Sequence, residues 1–235
     1  MNIKIRKATE SDAPLLAQSM LESSRSGKKK GIFDVIFETS DKKELLALLE
    51  KLSVTETKSY CHFSNFMVAS VNGEDAGFLC GYEPRIATQE IFAKAMEEIG
   101  FDATYQDRLS SYFLVEPEFD KKTFLLDFMA VKDEYNEFSV LKELVQKSLL
   151  TARLKGYRIV QTMVEIGSVE MMMVYKKLGF SVRDERRNKD YEAEYGRAGI
   201  VRLPYRRGIA QQHKALPRRC AHVCADDEHT PPVDW

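Results

Sequence analysis

Thr123-Phe-Leu-Leu-Asp-Phe-Met-Ala-Val131 is an apolar run broken by a single carboxylate, Asp127, and a polar turn follows it, Lys132-Asp-Glu-Tyr-Asn136. A helical pattern over 138–155 comes next and is closed by Gly156. A second apolar run, Arg158-Ile-Val-Gln-Thr-Met-Val164, leads to a Met-rich helix ending in Tyr175-Lys-Lys-Leu-Gly-Phe180. Strand, turn, helix, strand, helix in this order predicts neighbouring parallel strands joined by a right-handed crossover. The helix after the first strand then points its free N–H groups and positive dipole end at whatever lies beyond that strand.

The rest of the chain supplies partners for this unit. Ile3 and Ile5 alternate with Lys4 and Arg6, as in a half-buried strand. Thr9 with Asp12 three residues on has the form of a capping box, and Leu15, Leu16, Ser19 and Met20 continue at helical spacing. Residues 23–31 are polar and basic and read as a mobile loop, with the lysines at 28–30 solvated. A second helix is expected over 41–52, capped by Ser40, with Leu45, Leu48, Leu49 and Leu52 on its apolar side. Residues 66–82 read as a hairpin turning at Asn72-Gly73. The segment 84–121 is a helical insertion rich in aromatics, among them Phe92, Phe101, Tyr105, Tyr112, Phe113 and Phe119. Two readings stand for them: a satellite core, or the wall of a substrate pocket. After Phe180 a strand over 181–186, a charged loop carrying Tyr191 and Tyr195, and a strand over 199–204 complete the pattern.

Composition bounds the function. Of 235 residues 44% are hydrophobic, enough for a core, and 35 Lys+Arg against 36 Asp+Glu leave a formal charge of −1. That balance supports neither nucleic acid nor an acidic membrane surface as partner. No apolar run is long enough to span a bilayer and the N-terminus lacks the apolar core of a signal peptide, so a cytoplasmic protein is expected. Cys61 and Cys80 read as buried thiols. Composition changes abruptly near residue 206, and 207–235 is expected to be a tail outside a domain spanning 1–206, disordered or foreign to it. Cys220-Ala-His-Val-Cys224 with His229 holds ligand-type side chains in that tail but lacks the second paired element of a zinc site, so no metal is assigned.

The element order resembles the GNAT superfamily of acetyl-CoA-dependent N-acetyltransferases over roughly residues 3–206. Four stretches carry the likeness: the opening Ile3-Lys-Ile-Arg-Lys-Ala-Thr-Glu-Ser-Asp12, the hairpin from Val68 to Phe78, Leu126-Asp-Phe-Met-Ala-Val131 with its turn, and Val174-Tyr-Lys-Lys-Leu-Gly-Phe180. The resemblance implies an α/β (α+β) fold with a mixed, mostly antiparallel central sheet flanked by helices, its fourth and fifth strands parallel and splayed. It implies acetyl-CoA as co-substrate, a small-molecule or peptide amine as acceptor, and a homodimer. By the same token Met129, Ala130 and Val131 would pair with pantetheine. Asn136, Glu137, Phe138, Ser139, Val140, Leu141 and Lys142 would form the pyrophosphate loop and helix start, and Ser168 would cap the last helix and help orient the thiol or a water. The chain departs from the family's glycine-rich loop: Ser139 and Leu141 stand where small residues are usual, Leu141 bulky enough to crowd a phosphate, and Glu137 adds a negative charge.

Acetyl transfer needs a base, a donor for the developing oxyanion and an acid for the leaving thiolate. Asp127, set in an apolar strand where its pKa would rise, is the first candidate base, with a core Asp satisfied by a backbone or Arg partner as the other reading. Tyr175 matches the position of the family's general-acid tyrosine, against a packed helix aromatic. The backbone N–H of Val131 would meet the oxyanion, and Glu165 is a second candidate base. The rival function is a GNAT-fold binding or regulatory protein with weak or lost CoA binding, which the departures in the 136–141 loop favour.

Overall fold

The computed structural model describes residues 2–135 and 137–205, with the backbone alone for Glu137. The expectations that rest on Asn136, on the Glu137 side chain and on the tail with Cys220, Cys224 and His229 lie outside the described residues. The elements are β1 (Ile3–Lys7), α1 (Ala13–Arg25), α2 (Ile32–Ile36), α3 (Lys42–Ser53), β2 (Phe66–Val71), β3 (Glu74–Tyr82), α4 (Gln89–Glu98), α5 (Tyr105–Arg108), α6 (Ser110–Phe113), β4 (Thr123–Val131), α7 (Glu137–Leu154), β5 (Ile159–Glu165), α8 (Val169–Leu178), β6 (Asp184–Arg187), α9 (Lys189–Tyr195) and β7 (Gly199–Pro204). Seven strands form one sheet in the order β1-β2-β3-β4-β5-β7-β6. Only the β4–β5 pair is parallel; every other ladder is antiparallel.

Helices cover both faces because the strands are apolar on both. On one face Phe66, Val68, Phe78 and Cys80 pack with α1, α3 and α4 through Leu16, Leu49 and Phe92. On the other, Ala69, Val71, Leu79 and Leu126 pack under α7 and α8 through Val140, Leu144 and Leu178. Cys61 and Cys80 are buried free thiols on the first face. The β2–β3 hairpin closes on Asn72 and Gly73 at φ 54° and 99°, the left-handed pair that a tight hairpin turn requires.

Two details of local chemistry differ from expectation. The cap of α3 is Asp41, whose Oδ1 accepts from Glu44 N at 2.9 Å, so Ser40 stands one residue too early. The charged segment after β6 is helical: Asn188 Oδ1 accepts from the backbone N–H groups of Asp190 and Tyr191, which starts α9 and drives Tyr191 and Tyr195 into the interior.

The sheet opens where β4 and β5 part. Their ladder runs from Thr123↔Ile159 to Leu126↔Thr162 and no further, although β4 continues to Val131 and β5 to Glu165. On its other side β4 stays bonded to β3, but the register slips between Phe78 and Cys80. The slip coincides with Phe128, a non-glycine residue at φ 43°. A bulge of this kind places two successive side chains on one face. Asp127 and Phe128 both turn to the α1–α4 side, where Phe128 packs against the rings of Phe33, Tyr60 and Phe66.

Candidate active site

The parting strands floor a cleft of about 1320 Å³. At one end it is walled by the bulged part of β4, from Asp127 to Val131, and by the β5–α8 corner around Gly167 and Ser168. At the other it reaches Tyr60, Tyr82, Pro84, Tyr112 and Glu116. Phe92 and Tyr105 of the aromatic insertion are fully buried in the main core on the α1–α4 face rather than in a satellite of their own, while Tyr112, Phe113 and Phe119 line the cleft.

Asp127 lies at the middle of the floor, enclosed by side chains but with part of its surface open to the cleft. Among the described residues the hydrogen bond it accepts comes from the backbone N–H of its neighbour Phe128, at 2.8 Å on Oδ1. Among the described residues no cation holds it in the charged form, and burial pushes its carboxyl up from 3.8 to about 6. Tyr175 also faces the cleft, 4% exposed, its ring edge-on to Phe180. Burial raises its hydroxyl, a bond with the Thr162 side chain opposes the rise, and the Asp127 charge adds to it, so the two groups share one electrostatic site.

The register also orients the backbone. Lys132 N donates to Ala76 O at 2.9 Å, and Val131, one residue earlier, is paired with Gly77. In an antiparallel ladder bonded and non-bonded pairs alternate, so the N–H of Val131 points away from β3, into the gap left by β5. Met129 and Ala130 line the same wall.

Among the described residues the cleft lining includes Asp133 on this side and none of Phe138, Ser139, Val140, Leu141 and Lys142. The side chains of Val140 and Leu141 are buried against the sheet, and Lys142 is exposed. Leu141 thus turns inward rather than crowding the helix start. Ser168 lines the cleft at the start of α8, but its hydroxyl makes no capping bond; Oγ sits 3.3 Å from Ser26 Oγ. Glu165 is not an unengaged base either. It accepts from Lys28 Nζ at 2.5 Å and from Tyr191 Oη at 3.0 Å, with Arg197 Nε at 3.8 Å. Lys28 also donates to the Tyr195 carbonyl at 2.9 Å, which ties down a loop that composition presents as mobile.

Sequence reasoning passes over Tyr60, Tyr82 and Glu116, which carry no motif of their own, and over the strain at Phe128. Chain position could have flagged Tyr82, since it ends the strand that pairs with the Asp127 segment.

No family model matches the chain, and no curated protein does. Among solved structures, an acetyltransferase superposes with a TM-score of 0.62 at 16% identity, covering 86% of this chain and 98% of that one. An N-acetyltransferase from Staphylococcus aureus Mu50 gives 0.62 and 16%, covering 86% and 99%. Ard1 from Thermoplasma volcanium gives 0.50 and 15%, covering 87% and 97%. The chain shares the fold of these acetyltransferases, with the parallel pair splayed as the resemblance implied.

Proposed function

We propose that this GNAT-fold chain moves the acetyl group of acetyl-CoA to a primary amine of a small molecule or peptide by direct transfer. The observation that carries the reading is the convergence of Asp127, Tyr175 and the Val131 N–H on one splayed cleft. Asp127 takes the proton from the acceptor ammonium, for which a carboxyl lifted to about 6 suits a base working near neutral pH. The amine nitrogen then forms its bond to the acetyl carbon while the C–S bond breaks. Val131 N–H donates to the oxygen of the carbonyl as charge builds there. Tyr175, its hydroxyl kept protonated by burial, gives its proton to the departing thiolate and regains one from the newly bonded nitrogen, which sheds its second proton to become the amide. Met129 and Ala130 supply main-chain groups for pantetheine, and Ser168 polar contact near the sulfur. The pyrophosphate falls to the N–H groups opening α7, over 136–142.

The rival is a GNAT-fold binding protein without turnover. It draws on the cleft lining, which among the described residues includes none of 138–142, and on Ser139 in place of a small residue. Thermal denaturation with acetyl-CoA separates the two. A ligand at a hundred times its Kd stabilises by about 2.7 kcal/mol, roughly 5–10 °C for a domain of this size. Thiol release from acetyl-CoA with a panel of amines then reports turnover. A melting curve unmoved at millimolar acetyl-CoA removes the transferase reading.

A further inference from the structure

The acceptor end of the cleft carries charge that the described residues leave unbalanced. Glu116 and Asp127 both line it, with Tyr60, Tyr82 and Tyr112 between them. Burial first, and the two carboxylates after it, push the hydroxyls of Tyr82 and Tyr112 well up, so both acids act on the same pair of rings. Tyr60 stacks on Tyr82 with centroids 5.6 Å apart and feels Glu116 as well. Among the described residues that line the cleft one is basic, Arg197, and it stands by Glu165 at the far corner. Arg186 reaches Glu116, but at its main-chain oxygen, 3.0 Å away, and among the described residues no side-chain cation offsets the Glu116 carboxylate. Oδ2 of Asp127 likewise has no partner among the described residues.

Two desolvated carboxylates without counter-ions, joined by tyrosine rings, make a site for positive charge. Each acid gains from an ammonium neighbour, and the ring faces attract the same ions. We propose that the cleft takes a small dicationic amine, an α,ω-diamine or longer polyamine. Its reacting ammonium meets Asp127, and its second ammonium is held by Glu116 among Tyr60, Tyr82 and Tyr112. This rests on the acetyltransferase reading for the word acceptor, and on the cleft alone for binding.

Calorimetry with 1,4-diaminobutane and with n-butylamine, without acetyl-CoA, tests the site directly. The diamine should bind at least about tenfold more tightly, the factor that one added charge-assisted contact of about 1.4 kcal/mol supplies. Glu116→Gln should remove that advantage and leave butylamine within twofold. In steady state the same variant should raise the diamine KM about tenfold at nearly constant kcat. Equal affinity for the two amines in the wild-type chain overturns the inference, with no variant needed. So does a Glu116→Gln effect of the same size on both, or a preference for a peptide α-amine over the diamine. Diamine selectivity without any response to acetyl-CoA would sustain the cation site and sink the transferase reading. Turnover of monoamines without diamine selectivity would do the reverse.

Discussion

Two aspartates in this chain have been pushed in opposite directions, and the contrast says what each is for. Asp12 receives two hydrogen bonds from the Arg6 guanidinium, at 2.7 and 2.8 Å, which, with a bond from Thr9 N, hold its carboxyl down at about 2. Asp127 has no such partner and is raised to about 6. For Asp12 the stability gained is present above the ordinary carboxylate pKa and is lost as pH falls toward 2. For Asp127 the sign reverses. The folded state holds the proton more tightly than the unfolded one, so folding loses stability as pH rises from about 4 to 6. At about 1.4 kcal/mol per tenfold the upper bound is about 3 kcal/mol, and solvent entering from the cleft reduces it to about 1–2. Asp127→Asn keeps an acceptor for Phe128 N and removes the charge. It should therefore stabilise the protein by about 1–2 kcal/mol in urea denaturation at pH 7.5 and by little at pH 4. The same change should cut kcat about a hundredfold or more and abolish the limb of kcat/KM that rises through about pH 6. Destabilisation at pH 7.5 would mean that the carboxylate serves the core. Asp127 itself was visible in the sequence because a carboxylate in an apolar strand is conspicuous. Its lack of a counter-ion was not, since that depends on which residues α4–α6 bring opposite.

The position of α7 depends on a contact at Gly77 in β3. A methyl there would stand 2.9 Å from Val140 Cγ1, 3.0 Å from Val131 Cγ2 and 3.1 Å from the Ala130 carbonyl oxygen. The missing side chain lets the first turn of α7 sit against the sheet, beside the residues that present the Val131 N–H. Gly77→Ala should cost about 1–3 kcal/mol by overpacking. If the α7 start binds pyrophosphate, the variant should also weaken acetyl-CoA by several-fold. Unchanged stability, or intact affinity in a destabilised variant, would show that β3 and the helix start are not coupled. The helix as such was legible, because its apolar residues recur at helical spacing over eighteen residues. The seven-residue α9 was not, because about two turns of mostly charged residues leave no period to read, even with Asn188 in capping position. The bulge in β4 was equally silent. A continuous apolar run looks the same straight or bulged, and what holds Phe128 at φ 43° is a stack of rings from distant parts of the chain.

At the scale of the whole molecule, two cores on opposite faces of one sheet are joined at a seam where strand pairing stops. The order of elements was enough to expect the β4–α7–β5 crossover, and the resemblance to the acetyltransferases, rather than the order itself, carried the expectation that the two strands splay. The acceptor end was not legible, because Tyr60, Tyr82, the Tyr112–Glu116 segment and Asp127 come from four separate stretches and meet only in the fold. A second tie across the seam was also hidden. Lys28 leaves the α1–α2 loop to reach Glu165 at the end of β5 and the Tyr195 carbonyl in α9, with both partners of the ion pair about 15% exposed. A lysine in a solvated loop would contribute within about 0.5 kcal/mol. A largely buried one, whose removal leaves a carboxylate short of its cation, should cost about 1–3 kcal/mol. Lys28→Ala, Glu165→Gln and the double variant, compared by urea denaturation, isolate the contact. The expected coupling energy is about 1 kcal/mol or more, and single effects that add to within about 0.3 kcal/mol would leave the loop unanchored. Because Ser26 and Gly27 of that loop wall the cleft beside Ser168, loss of the tie should also raise the KM for acetyl-CoA more than it lowers kcat.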